Sequence, residues 1–186
     1  MKLYIKNMVC NRCIMVVQDE LEKIGLQPIN VELGSAELGK ELNKDELKNL
    51  NTQLIALGFS LIDDKKSQLI ERVKNIIVDL VHNHNADLKT NLSTLLEEKL
   101  NQDYNQISSV FSEIENTTIE KYFIHQKIER VKELIVYGEL TLSEIAFQLH
   151  YSSVAHLSTQ FKKITGLNPS HFKTIKSNKR KPLDEI

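Results

Sequence analysis

Leu-Thr-Leu-Ser-Glu-Ile-Ala-Phe-Gln-Leu-His-Tyr-Ser-Ser-Val-Ala-His-Leu-Ser-Thr-Gln-Phe-Lys-Lys-Ile-Thr-Gly-Leu-Asn-Pro-Ser-His-Phe-Lys-Thr-Ile, residues 140–175, is the stretch on which the architecture turns. Leu142, Ile145, Ala146 and Leu149 recur at i, i+3, i+4 and i+7, the stripe of a short amphipathic helix. Leu157, Phe161 and Ile164 form the inward stripe of a second helix, with Ser152 as its expected cap. Gly166-Leu167-Asn168-Pro169 stops it. The pattern predicts a helix, a tight turn and a second helix with a basic end. The outward face of that second helix offers Ser153, Val154, Ala155, Ser158, Thr159 and Lys162, small or polar side chains that suit base edges.

The pattern occurs twice. Leu100, Ile107 and Phe111 correspond to Leu149, Leu157 and Phe161 at a spacing of about fifty residues, with one residue fewer in the first turn. Between the copies a long helix is expected over Ile119–Val136, using Tyr122, Phe123, Ile128, Val131, Leu134 and Ile135, and broken at Tyr137-Gly138. Shorter helices are expected at about Leu92–Leu100 and Tyr104–Ser112. Ahead of them Leu69, Val73, Ile76, Ile77 and Leu80 line a helix ending near His82-Asn83-His84-Asn85.

The run Tyr151-Ser152-Ser153, Phe161-Lys162-Lys163, Thr165-Gly166, Pro169-Ser170 and Phe172 resembles the C-terminal helix-turn-helix of AraC/XylS-type transcription regulators. That family carries two helix-turn-helix units joined by one long helix, which agrees with the duplication. The resemblance implies a non-enzymatic, sequence-specific regulator whose partners are double-stranded promoter DNA and RNA polymerase, with a homodimer as a candidate assembly. Two recognition helices on one frame would enter major-groove segments roughly 34 Å apart. By the family alignment the second unit would present Val154, Ala155, Ser158, Thr159 and Lys162. The first would present Asn105, Ser108 and Ser109, with Tyr104 near the backbone. Asn105 suits a bidentate contact to adenine, and the Val154 and Ala155 methyls suit thymine.

The sequence also departs from the family. Asn101 and His150 stand where Gly is usual in the turns, and Asn116 where Gly would follow the first recognition helix. Asn and His tolerate positive φ, so the turns are expected to form. Glu97 replaces the Ala common at the close helix–helix contact. No outward Arg lies on either recognition helix, which shifts specificity toward shape and phosphate contacts. His156 is expected to pack beside the turn, in a slot where the family commonly has an aromatic.

The 186 residues carry a net charge of −1, so the distribution of charge matters more than its sum. Lys162, Lys163, Lys173, Lys176, Lys179, Arg180 and Lys181 form a basic block without an acidic residue, placed to touch phosphates. No run approaches a membrane span, and the N-terminus lacks an apolar signal core, which points to a soluble, cytoplasmic protein. No Ser/His/Asp constellation, phosphate loop or paired-carboxylate site points to catalysis.

The chain changes character at Asp63-Asp64-Lys65-Lys66. The expected layout is a domain over 1–64, a DNA-binding domain over 65–181 and a tail over 182–186. The first 64 residues predict a strand at Lys2–Lys6, a helix at Asn11–Ile24 and a strand at Pro28–Leu33. A turn at Gly34-Ser35 leads to a short strand near Ala36–Leu38. A helix from the Asn43 cap to about Leu57, with Leu47, Leu50, Leu54 and Leu57 as its stripe, and a strand at Phe59–Ile62 follow. This βαββαβ order is the ferredoxin-like arrangement, so the fold class expected is α+β.

The only two cysteines, Cys10 and Cys13, lie where the first strand meets the first helix, a spacing that points to metal or redox chemistry. Met8-Val9-Cys10-Asn11-Arg12-Cys13, with Leu57-Gly58-Phe59 across from it, resembles heavy-metal-associated (HMA) domains. Asn7 replaces their usual Gly. The resemblance implies a thiophilic metal at Cys10 and Cys13, sensed to control DNA binding. Two soft thiolates without a third ligand suit Cu(I) better than four-coordinate Zn²⁺. The helix end is expected to lower the thiol pKa, and Met8 to point inward. Arg12 would offset the charge of a bis-thiolate. Alternatives are a Cys10–Cys13 disulfide sensor, a dimerisation arm with idle cysteines, a metal-trafficking protein with a partner-binding helical half, and a dithiol oxidoreductase. His82, His84, His125 and His171 are scattered, with His82 and His84 expected as solvated caps of their helix end.

Overall fold

Alternation in Lys2–Lys6 turns Leu3 and Ile5 inward and Lys2 and Lys6 to solvent, and that stretch forms strand β1. The computed structural model describes residues 1–175. Cys10 stands at the N-cap position of helix α1 (Asn11–Lys23) without a side-chain capping bond, and the helix ends near Gly25 at φ +78°. Strands β2 (Pro28–Glu32) and β3 (Ser35–Leu38) pair antiparallel with Glu32 opposite Ser35. Leu33-Gly34 therefore makes the turn, one residue earlier than expected, because Gly34 takes the positive φ of +80°. Asn43 accepts from the amides of Asp45 and Glu46, and Glu46 returns a contact to the Asn43 amide. That reciprocal cap starts helix α2 (Lys44–Ala56). The last strand, β4 (Ser60–Leu61), is shorter than the Phe59–Ile62 expected.

The four strands form an antiparallel sheet in the order β2-β3-β1-β4, and with the helical half they give the α+β class expected. Leu3, Ile5, Met8, Val17, Leu21, Ala36, Leu38, Leu50, Leu54 and Phe59 form its core. Leu57, expected in the apolar stripe, follows the last turn of α2 and is 44% exposed.

Helix α3 (Lys65–His82) follows, and the described residues divide into two compact units that part at Ile76–Ile77, within it. The helical half then runs α4 (Leu92–Leu100), α5 (Tyr104–Glu115), α6 (Ile119–Tyr137), α7 (Leu142–Gln148) and α8 (Val154–Thr165). A further helix, α9 (Pro169–Ile175), stands where the sequence predicted only a stop. Pro169 occupies its first position, where a missing N–H costs nothing, and Asn168 Oδ1 accepts from the His171 amide at 3.1 Å.

The two repeats have equivalent cores. Leu100, Ile107 and Phe111 are buried in the first, and Leu149, Leu157 and Phe161 in the second. An edge-to-face partner closes each: Tyr122 on Phe111 at 5.8 Å and Phe172 on Phe161 at 5.5 Å between ring centres. Among the described residues no helix is long and apolar enough to cross a membrane.

Candidate nucleic-acid interface and cysteine loop

In the second helix-turn-helix, Thr141 and Glu144 form a reciprocal cap at the start of α7. His150 makes the turn at φ +53°, the conformation expected of a residue in a Gly slot. Ser153, not Ser152, caps α8: its Oγ accepts from the His156 amide at 3.0 Å. Ser152 Oγ instead meets His156 Nδ1 at 3.0 Å, and the His156 ring packs edge-on against Tyr151 at 5.5 Å. His156 thus sits beside the turn, as expected. Tyr151 donates to Gln160 Oε1 at 2.8 Å, tying the turn to the helix. Ala155, Thr159 and Lys162 are exposed, while Val154 and Ser158 are half-buried.

The long helix α6 supports this turn from beneath. Lys127 is buried with its Nζ 4.0 Å from the centre of the Tyr151 ring, and burial pushes its pKa down to about 8.

The first helix-turn-helix has the same frame and different electrostatics. Asn101 and Asn116 both take φ +52°, as the Gly replacements require. Asp103 Oδ1 accepts from the Asn105 and Gln106 amides at 2.9 and 3.3 Å. Glu97 Oε1 accepts from the Tyr104 amide at 2.8 Å, so the carboxylate at the close contact has a partner there. The Tyr104 hydroxyl donates to the Glu120 carboxylate. Burial and that carboxylate raise the Tyr104 pKa, while the phenol's hydrogen bond holds Glu120 below the usual carboxylate range. Asn105 and Ser109 are exposed and Ser108 is half-buried. Lys176, Lys179, Arg180 and Lys181 of the basic block, and the 182–186 tail, lie outside the described residues.

In the N-terminal unit, Asn7 takes φ +71°, which explains how it fills a Gly position. Its amide donates to Glu71 at 2.8 Å and its Nδ2 to the Gly58 carbonyl at 3.0 Å, pinning the start of the cysteine loop against the turn after α2. Met8 is fully buried below the loop. Cys10 Sγ and Cys13 Sγ lie 3.5 Å apart, both half-buried. That span exceeds a disulfide bond of about 2.05 Å and is within reach of two metal–sulfur bonds of about 2.3 Å each. Among the described residues no group of three or more His, Cys, Asp and Glu side chains could hold a metal ion. Cys10 and Cys13 themselves are soft sulfur donors, chemically suited to a soft ion of low coordination number.

The expected lowering of the thiol pKa does not hold for Cys13. Burial raises it, outweighing the lowering effect of backbone contacts from Val9 and Cys10. His82 also differs from its expected place as a solvated cap. Its side chain is largely enclosed, with Nε2 3.3 Å from Gln126 Oε1 and Nδ1 3.7 Å from Glu133.

Residues 96–175 match the helix-turn-helix domain family. The chain is similar to the C-terminal domain of AraT, a response regulator from Geobacillus stearothermophilus, at 22% identity and a TM-score of 0.51, covering 63% of this chain and 95% of that one. It is also similar to a DNA-binding transcriptional dual regulator from Escherichia coli K-12, at 19% identity and a TM-score of 0.50, covering 58% and 91%. Comparison with curated proteins gave no match. Residues 96–175 thus carry a helix-turn-helix domain, with a fold shared by these two structures.

Proposed function

We propose that this protein is an AraC-type DNA-binding transcription regulator, that it senses a thiophilic metal, Cu(I) in preference, through Cys10 and Cys13, and that the metal sets its affinity for promoter DNA. The observation that carries the reading is the pair of sulfurs 3.5 Å apart at the first turn of α1, on a loop pinned by Asn7. Cys10 and Cys13 hold the ion and Arg12 offsets the bis-thiolate charge. On the DNA side, Val154, Ala155, Ser158, Thr159 and Lys162 of the second unit face a major groove, and Asn105, Ser108 and Ser109 stand at the corresponding face of the first.

An effector shifts a binding equilibrium only by its differential affinity for the two states. Because burial raises the Cys13 thiol, metal capture releases a proton from a poorly solvated group and changes the charge of the loop. The same sulfur pair would suit a disulfide sensor, which responds to oxidant and ignores metal once reduced.

Chelator competition on the reduced full-length protein tests the metal step. Tight one-to-one Cu(I) binding lost in Cys10→Ser/Cys13→Ser is the expected result. Equal binding by the wild type and the double variant would remove copper from the account.

A further inference from the structure

Recognition helices meet DNA with their N-terminal turn, where free backbone amides and a partial positive charge favour phosphate and base edges. The two repeats treat that turn in opposite ways. At α8 the cap is the neutral hydroxyl of Ser153, and the adjoining side chains are Ser152 and His156. At α5 three carboxylates converge on the first turn: Asp103 on the Asn105 and Gln106 amides, Glu97 on the Tyr104 amide, and Glu120 on the Tyr104 hydroxyl. The place a phosphate would take is filled by the chain's own anions.

The surrounding charge agrees. Residues 92–120 hold six carboxylates and one lysine, while residues 141–175 hold one carboxylate and three lysines. Recognition helix α5 itself has no cation, whereas α8 carries Lys162 and Lys163.

We infer that DNA binding is one-sided: the second helix-turn-helix anchors the protein in one major-groove segment, and the carboxylate-capped first unit is held off the duplex. This deepens the DNA-binding reading and rests on it. The first unit's carboxylates are then specificity devices, since like charge facing phosphate opposes docking wherever base contacts do not offset it.

Isosteric variants test this without removing the caps. Glu97→Gln, Asp103→Asn and Glu120→Gln keep each acceptor oxygen and delete three negative charges. Full-length wild type and the triple variant are each used to select sites from a random duplex pool of roughly 40 bp, long enough for two grooves about 10.5 bp apart. Selected sites are then footprinted, and affinity is followed against salt. The expected wild-type result is one selected and protected segment. The triple variant is expected to bind at least about tenfold tighter, gain a second segment and show a steeper salt slope. Two selected segments for the wild type, with affinity and slope unchanged in the triple variant, would overturn the inference while leaving DNA binding intact. No selected site and no salt-dependent binding by the wild type would overturn both. Unchanged melting of the triple variant separates these effects from misfolding. A wild-type protein already protecting two segments while the folded variant binds no tighter counts against the inference in the same way.

Discussion

His150 carries an unusual conformation for its type. At φ +53° in the second turn it does the work of a glycine, while its Nε2 keeps a partly exposed contact of 3.7 Å to Asp87. An exposed ion pair of this kind contributes little, so backbone geometry decides the effect of substitution. His150→Gly is expected to leave stability unchanged or raise it by about 0.5 kcal/mol, and His150→Val to cost more than about 1 kcal/mol, by chemical denaturation. Lys127 is the other residue for which burial sets a definite expectation. Its native pKa, lowered to about 8, lies below the ordinary lysine value, so between the two the unfolded chain binds the extra proton. Stability of the wild type relative to Lys127→Met should therefore rise as pH goes from about 8 toward 10, on the order of 1 kcal/mol once the Tyr151 ring's attraction for the charged form is allowed for. A flat difference across that range would mean that Lys127 keeps an ordinary pKa in the fold.

At the scale of elements, the repeat is held by paired aromatic anchors. Phe161 is fully buried between α6, α7 and the Phe172 ring of α9, so Phe161→Ala is expected to cost about 3–5 kcal/mol and to lower the melting temperature sharply. The apolar periodicity made these elements legible in the sequence: Leu157 and Phe161, or Ile107 and Phe111, can face only inward at helical spacing. The positive φ of Asn101, Asn116 and His150 was legible too, because each stands in a glycine slot of the repeat. Helix α9 was not legible, since seven residues after Gly-Leu-Asn-Pro carry too few apolar positions to show a period. Choosing between Ser152 and Ser153 as the cap needed backbone geometry that two adjacent serines do not reveal. The carboxylate cluster at α5 was hidden for a different reason. Glu97, Asp103 and Glu120 are scattered along the chain, and only the fold brings them to one turn.

For the whole molecule, the two units were legible as a change from βαββαβ to helical periodicity near residue 64, while the compact units part twelve residues later, inside α3. A continuous helix does not announce such a parting in its pattern. The cysteine pair was legible as a motif, and its distance, its half-burial and the raised Cys13 thiol were not. The central claim joins the two ends of the chain: a metal held by Cys10 and Cys13 sets DNA affinity. Fluorescence anisotropy of the reduced full-length protein on a selected duplex, with and without Cu(I) and beside Cys10→Ser/Cys13→Ser, tests it at fixed salt. The account predicts a change in Kd of about fivefold or more on adding Cu(I) to the wild type, and none in the double variant. The same Kd with and without Cu(I) in both proteins would contradict it.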